Sequence, residues 1–316
     1  MTQLTRALLT GLIDYAGLFP PAELSMAETV ANYAAYQRRP DRWALARIVV
    51  PVARLVEFET ELDRLSEAER LGTRWPITAL LGNDPASDRA AIEAFSERHV
   101  HGGPAIEALE ARVASVPQVE SLQAAIGTGR ELYCELPLAA DLPALVATVR
   151  RVGARAKIRT GGIKAGDIPP PEAVLAFLTI SAAERVPFKA TAGLHHPVRG
   201  LAPLTYAAGS PCATMFGYLN LLLAATLLWK RRPEAEALAV LTAENRASLR
   251  LEEDSIEWVG TRVTADELGH TRREFALTIG SCSFTEPLGE IRELGLEPET
   301  AAIGGRATDD RDRGTP

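Results

Sequence analysis

The sequence predicts one α/β domain, a (β/α)8 TIM barrel with a long helical insertion between its seventh and eighth strands. Three observations carry that expectation. Short apolar runs alternate with longer segments of helical period, eight times over. No Gly-rich turn follows the first run, as an open doubly wound sheet would require. Two runs hold a lysine at matching places, in "AKIRTGGIK" (156–164) and "VPFKATAGLHHPVRG" (186–200). A buried ammonium must be paired, neutralised or used, and barrels use such groups at the C-terminal ends of their strands.

The elements follow in order. "LIDYAGLF" (12–19) reads as the first strand, and Ser25 with Glu28 three residues on signals a capped helix after it. "LARIVVPV" (45–52) and "PITALLG" (76–82) are the next strands, each followed by a helical segment, the second capped by Asp84 or Ser87. "AIEALEARV" (105–113) is a fourth strand whose Ala and Glu content would also suit a helix. "ELYCELPL" (131–138) is a fifth, and its helix closes at Gly153. "ARAKIRTGG" is a sixth, "PFKATAGL" a seventh and "EFALTIGSCSF" (274–284) an eighth. Residues 201–273 form the insertion, expected to be mostly helical and to cover the barrel mouth or an oligomer contact. The domain is expected to span 1–296, and the polar, Gly-rich tail 297–316 to be disordered.

Composition narrows the function. With 316 residues, 47% hydrophobic and 24% charged, the chain suits a globular protein. A net charge of −7 argues against a general nucleic-acid partner. The three cysteines, Cys134, Cys212 and Cys282, are far apart and form no CxxC, which suits a reducing cytoplasm. The N-terminal stretch is interrupted by Asp14 and shows no cleavage site, so no secretory leader is expected. The longest apolar run, 215–229, is too short for a membrane span and contains Asn220, so a buried helix is expected.

Strand alternation sorts the polar residues by face. Lys157 and Arg159 share one, as do Lys189 and Thr191, and Tyr133 and Glu135; Asp14 lies opposite Ile13. Glu107 and Glu110 cannot both face inward on a regular strand. Two lysines, an arginine and up to three carboxylates therefore converge on one cavity. A structural ion-pair network would look the same. The functional reading is an amine nucleophile with carboxylate proton carriers. A second cation lowers a lysine's pKa and nearby carboxylates oppose that shift.

The arrangement resembles the deoxyribose-phosphate aldolase family, class I Schiff-base aldolases on a (β/α)8 barrel. "KIRTGG" matches the family's Schiff-base lysine and its Thr-Gly at Lys157, Thr160 and Gly161, and "KATAGLH" places Lys189 at the second lysine. "IDYAGL" supplies Asp14, "IEAL" puts Glu107 where the family has an inward Asp, "YCELP" supplies Glu135, and "IGSCSF" gives Gly280, Cys282 and Ser283. Ala192, Cys282, the pair His195-His196 and the long insertion depart from the family where it holds a phosphate. The resemblance implies a lyase in which Lys157 forms an imine with a small carbonyl substrate, Lys189 lowers its pKa, and Glu107 and Asp14 move protons. Glu135, Arg159, Thr160, Gly161, Gly193, His195, Gly280 and Ser283 would contact substrate. No cofactor, metal, membrane or nucleic acid is expected, and the apolar insertion suggests a homodimer. Two alternatives stay open: metal-assisted lyase or isomerase chemistry through Glu135 and His195, and a non-catalytic barrel for ligand binding or assembly.

Overall fold

A computed structural model describes residues 1–66, 69, 75–127 and 129–296. Eight parallel strands close into a barrel: β1 (Ile13–Tyr15), β2 (Leu45–Pro51), β3 (Trp75–Leu80), β4 (Pro104–Arg112), β5 (Glu131–Glu135), β6 (Arg155–Arg159), β7 (Phe188–Thr191) and, last in the ring, β13 (Ala276–Ser281). Neighbours pair in chain order, and β13 closes the ring between β7 and β1. The eight expected strands are the eight observed, most with tighter limits and the third and fourth each starting one residue earlier. The first stops at Tyr15, where Ala16 bonds the Ser281 carbonyl and the chain then turns at Phe19. The Ala- and Glu-rich fourth segment is a strand, since ladders to β3 and β5 hold both of its edges.

Helices α1 (Gln3–Leu9), α2 (Met26–Gln37), α3 (Leu55–Arg64), α4 (Pro85–Arg98), α5 (Val116–Ile126), α6 (Leu142–Arg151) and α7 (Pro171–Ala183) occur along the first three-fifths of the chain. The start signals hold: Ser25 and Glu28 form a complete capping box, and Asp84 accepts from the Ala86 and Ser87 amides. Outward residues such as Ile158, Phe188 and Leu109 join one continuous apolar core between strands and helices. Burial of a side chain of this size contributes about 1.5–3 kcal/mol.

The segment between β7 and β13 is less helical than expected. It holds a hairpin, β8 (Gly200–Pro203) with β9 (Cys212–Met215), and a three-stranded antiparallel sheet, β10 (Arg250–Leu251), β11 (Ser255–Trp258) and β12 (Thr261–Thr264). Its helices are α8 (Tyr218–Trp229), α9 (Glu234–Leu241) and α10 (Ala265–Glu274), and α11 (Thr285–Glu293) follows β13. The apolar run is α8, buried from Tyr218 to Leu228 because α7, α9 and α10 pack around it. It serves as the barrel's own helix after strand seven and does not cover the mouth. Among the described residues no helix is long and apolar enough to cross a membrane. The expected disordered tail lies outside the described residues.

Candidate active site

Strand register builds the site in rows. Arg112 pairs with Glu135, Glu135 with Lys157 and Lys157 with Lys189, so these four stand level across β4–β7. Glu110 and Tyr133 pair in the row beneath, and Arg159 and Thr191 pair in the row above. Glu110 reaches the interior because β4 is irregular. Ile77 pairs with Ile106 while Thr78 pairs with Ala108, which leaves Glu107 as an extra residue. Such a bulge reverses alternation beyond it. Both glutamates turn inward, at opposite ends of the barrel.

Glu110 sits between the lysines. Its Oε2 is 2.7 Å from Lys157 Nζ and its Oε1 is 2.5 Å from Lys189 Nζ. Lys157 Nζ is also 2.8 Å from Glu135 Oε2, and Lys189 is paired with Asp14. Asp14 is held in turn by the Arg47 amide at 3.0 Å and the Thr278 hydroxyl at 3.0 Å. Burial alone would raise the Glu110 carboxyl, but the two ammonium groups pull it down to about 2. Burial alone would lower Lys189, but Asp14 and Glu110 hold it above the ordinary lysine range. Burial opposes ionisation of Glu135 too, and Lys157, Arg112 and Arg159 hold its carboxyl low. The expected competition between a second cation and the carboxylates is thus decided at Lys189 in favour of the carboxylates.

A cavity of about 520 Å³ opens above this row, at the C-terminal ends of the strands. Phe19, Pro20, Val49, Leu80 and Leu81 form an apolar wall; Glu110, Arg112, Glu135, Lys157, Arg159, Lys189 and His195 form the charged one. Lys157 is 6% exposed and Lys189 is 1% exposed, so Lys157 is the more open amine. The loops after β6 and β7 are locked together beside it. Thr160 donates its hydroxyl to the Ala192 carbonyl at 2.7 Å. A Cβ on Gly193, whose φ is +74°, would come within 3.2 Å of the Gly161 Cα. Thr160, Gly161 and Gly193 therefore shape the wall without lining it, whereas Gly280 lines it.

His195 is buried on the β7 side, 3.4 Å from Glu286 and 3.9 Å from the Cys282 sulfur. Burial would lower its pKa, but Cys282 and Glu286 raise it to about 9. Tyr206, from the β8–β9 hairpin, donates to Glu286 at 2.8 Å. His196 turns away to Glu290 at 2.5 Å. His196, Glu286 and Glu290 bring three donor atoms within 4.8 Å of one another, a set that could hold a cation, although Arg246 stands 3.6 Å from Glu290.

Two expected residues lie elsewhere. Glu107 points to the N-terminal end of the barrel, where it meets Arg47 at 3.1 Å, and the bulge is the reason. Ser283 accepts the Glu286 amide at 3.1 Å and borders a separate cleft with Tyr15 and Tyr36. Lys157, Lys189, Asp14, Glu135, Arg159, His195 and Gly280 come together. Sequence reasoning passed over Arg112, Asn83 and Phe19, which also line the cavity. It also passed over one plain signal. The chain has 30 arginines and only four lysines, and two of the four are here.

No family model matches the sequence, and no curated protein is similar to it. Among solved structures the chain is similar to a lysine/ornithine decarboxylase from Vibrio vulnificus complexed with cadaverine, at 10% identity and a TM-score of 0.40. The match covers 80% of this chain and 65% of that one. The barrel described above rests on this chain's own strand order.

Proposed function

We propose that the chain is a barrel enzyme that forms a Schiff base between Lys157 and a small carbonyl substrate, a carbon–carbon lyase of the class I aldolase type. One observation carries the reading: a cavity-facing lysine shares a buried glutamate with a second, cationic lysine at the C-terminal end of the barrel. Lys157 passes a proton to Glu110 or Glu135 and its amine attacks the carbonyl carbon. The carbinolamine loses its oxygen as water, with a proton returned by the same carboxylates. The iminium then accepts the electron pair of the carbon–carbon bond that breaks, while a carboxylate takes the proton of the departing hydroxyl. The enamine is reprotonated at carbon and hydrolysed, which frees Lys157. Lys189 stays charged throughout and keeps Glu110 ionised at the start of the cycle.

The resemblance to deoxyribose-phosphate aldolase is supported by the meeting of Lys157, Lys189 and Asp14 in one cluster, with Glu110 in the part assigned to Glu107. Metal-assisted chemistry was expected through Glu135 and His195; among the described residues the donor set that could hold a cation is instead His196, Glu286 and Glu290, of which Glu286 neighbours His195. The test is borohydride reduction of the protein incubated with pools of aldehydes, ketones and 2-oxo acids, read by intact mass. An adduct present in wild type and absent in Lys157→Arg is expected. No adduct with a tightly held divalent ion would favour the metal reading. No adduct and no ion would leave a non-catalytic charge cluster.

A further inference from the structure

Arg159 ends β6 on the same face as Lys157, one row above it. Glu135, on the adjacent strand, feels the charge of its guanidinium. That carboxylate is already taken, by Lys157 at 2.8 Å and by Arg112 Nε at 3.0 Å. Among the described residues Arg159 has no ion pair, although it lines the cavity. We propose that Arg159, with Arg112 beside it, binds an anionic group of the carbonyl substrate, a carboxylate or a phosphate, while the carbonyl meets Lys157. The proposal rests on the Schiff-base reading and adds the substrate class to it.

The charge balance of the cavity favours an anion. Lys157, Lys189, Arg112 and Arg159 line it against two carboxylates, Glu110 and Glu135. Asp14 stands behind Lys189, and His195 is paired off with Glu286, so four cations face three carboxylates. This is the reverse of the chain as a whole, whose net charge is −7. A local field of opposite sign, backed by an apolar wall, draws and holds an anion. The planar Arg159 fork suits a carboxylate or phosphate bidentately.

Position also decides the side of the barrel. Around β7 and β13 the space beside the glycines is filled: Gly193 packs on Gly161, a Cβ on Gly280 would lie 2.7 Å from the Thr191 hydroxyl, and Ser283 is engaged with the Glu286 amide. On the β4–β6 side the cavity continues into an outer groove that shares Arg112, Glu135 and Arg159. That groove also carries Asp167, whose carboxylate accepts the Lys164 amide at 3.0 Å. Two residues along a strand separate the Lys157 and Arg159 rows by about 6–7 Å. A short oxo acid or a phosphorylated aldehyde or ketone spans that interval, its anion about three to five bonds from the carbonyl carbon.

The test has two arms on the full chain at neutral pH and low ionic strength. In the first, thermal stabilisation by succinate and by inorganic phosphate is compared with potassium chloride of matched ionic strength. Wild type and Lys157→Arg should respond to one of the two anions, and Arg159→Gln should need on the order of tenfold more. The stronger anion distinguishes carboxylate from phosphate. In the second arm, borohydride trapping on Lys157 compares 4-oxobutanoate with butanal, and glyceraldehyde 3-phosphate with glyceraldehyde. The charged member of one pair should trap at on the order of tenfold lower concentration, and Arg159→Gln should erase that advantage. Equal trapping of charged and neutral probes, or a preference that Arg159→Gln retains, overturns the anion subsite and leaves the Schiff base standing. An anion response lost in Arg159→Gln without any adduct supports the subsite and removes the Schiff base. Neither response nor adduct overturns both. Unfolding of the ligand-free variants checks that each is folded; Arg159 is exposed, so its replacement should not disturb packing.

Discussion

The barrel interior holds two charge clusters that differ in their cations. Beneath the Tyr133 ring, Arg47 meets Glu107 at 3.1 Å and Glu131 at 3.0 Å, and Arg155 meets Glu131 at 2.7 Å and the Tyr133 hydroxyl at 2.9 Å. Above it, Lys157 and Lys189 meet Asp14, Glu110 and Glu135, with Lys189 Nζ 5.4 Å from the Tyr133 ring centre. The lower cluster faces the N-terminal ends of the strands and the upper one the cavity at their C-terminal ends. A guanidinium never gives up its proton, whereas an ammonium can and then becomes a nucleophile. In a chain with 30 arginines and four lysines, the upper cluster holds both buried lysines and the lower one only arginines, and the proposed chemistry rests on that difference.

That contrast can be broken in three places. The largest effect is expected from Glu110→Gln, which removes the anion shared by both ammonium groups. Breaking a buried pair of this kind costs about 3–5 kcal/mol, measured by denaturant unfolding at neutral pH. The acid limb gives a second readout. The folded Glu110 carboxyl lies at about 2 against an ordinary 4.5, so its contribution is full above about 4.5 and is lost as pH falls toward 2. Glu110→Gln should lack that share of the acid loss.

His195 gives the opposite sign. Its pKa is raised from 6.5 to about 9, so the stability it contributes is full below 6.5 and is lost as pH rises through 9. The shift corresponds to at most about 3–4 kcal/mol. His195→Gln should flatten the melting temperature across that interval. The smallest effect belongs to the lower cluster. Arg47→Gln should cost about 1–2 kcal/mol of stability and leave borohydride trapping at Lys157 within about twofold, since the hydrogen bond from Arg47 to Asp14 comes from the backbone amide, which the substitution keeps.

Much of this was legible in the sequence. Eight apolar runs marked the eight strands because a barrel strand buried on both faces has little choice of composition. Lys157, Lys189, Asp14 and Glu135 were legible because polar residues inside such runs are costly and therefore conspicuous. Glu110 was harder. Alternation allowed only one of Glu107 and Glu110 inside, and the bulge at Glu107 admits both. Arg112 went unremarked because a charged residue at a strand end is ordinary, and only pairing with β5 brings it to Glu135. The small sheets of the insertion escaped notice because strands of two to four residues carry no readable period.

The most direct test asks which lysine carries the adduct. Wild-type protein reduced with a trapping carbonyl would be digested and all four lysines, at 157, 164, 189 and 230, quantified by peptide mass. The reading requires the adduct on Lys157, with Lys189 unmodified because it is deeper and held as a cation between Asp14 and Glu110. An adduct on Lys189, or one spread evenly over Lys164 and Lys230, would contradict it.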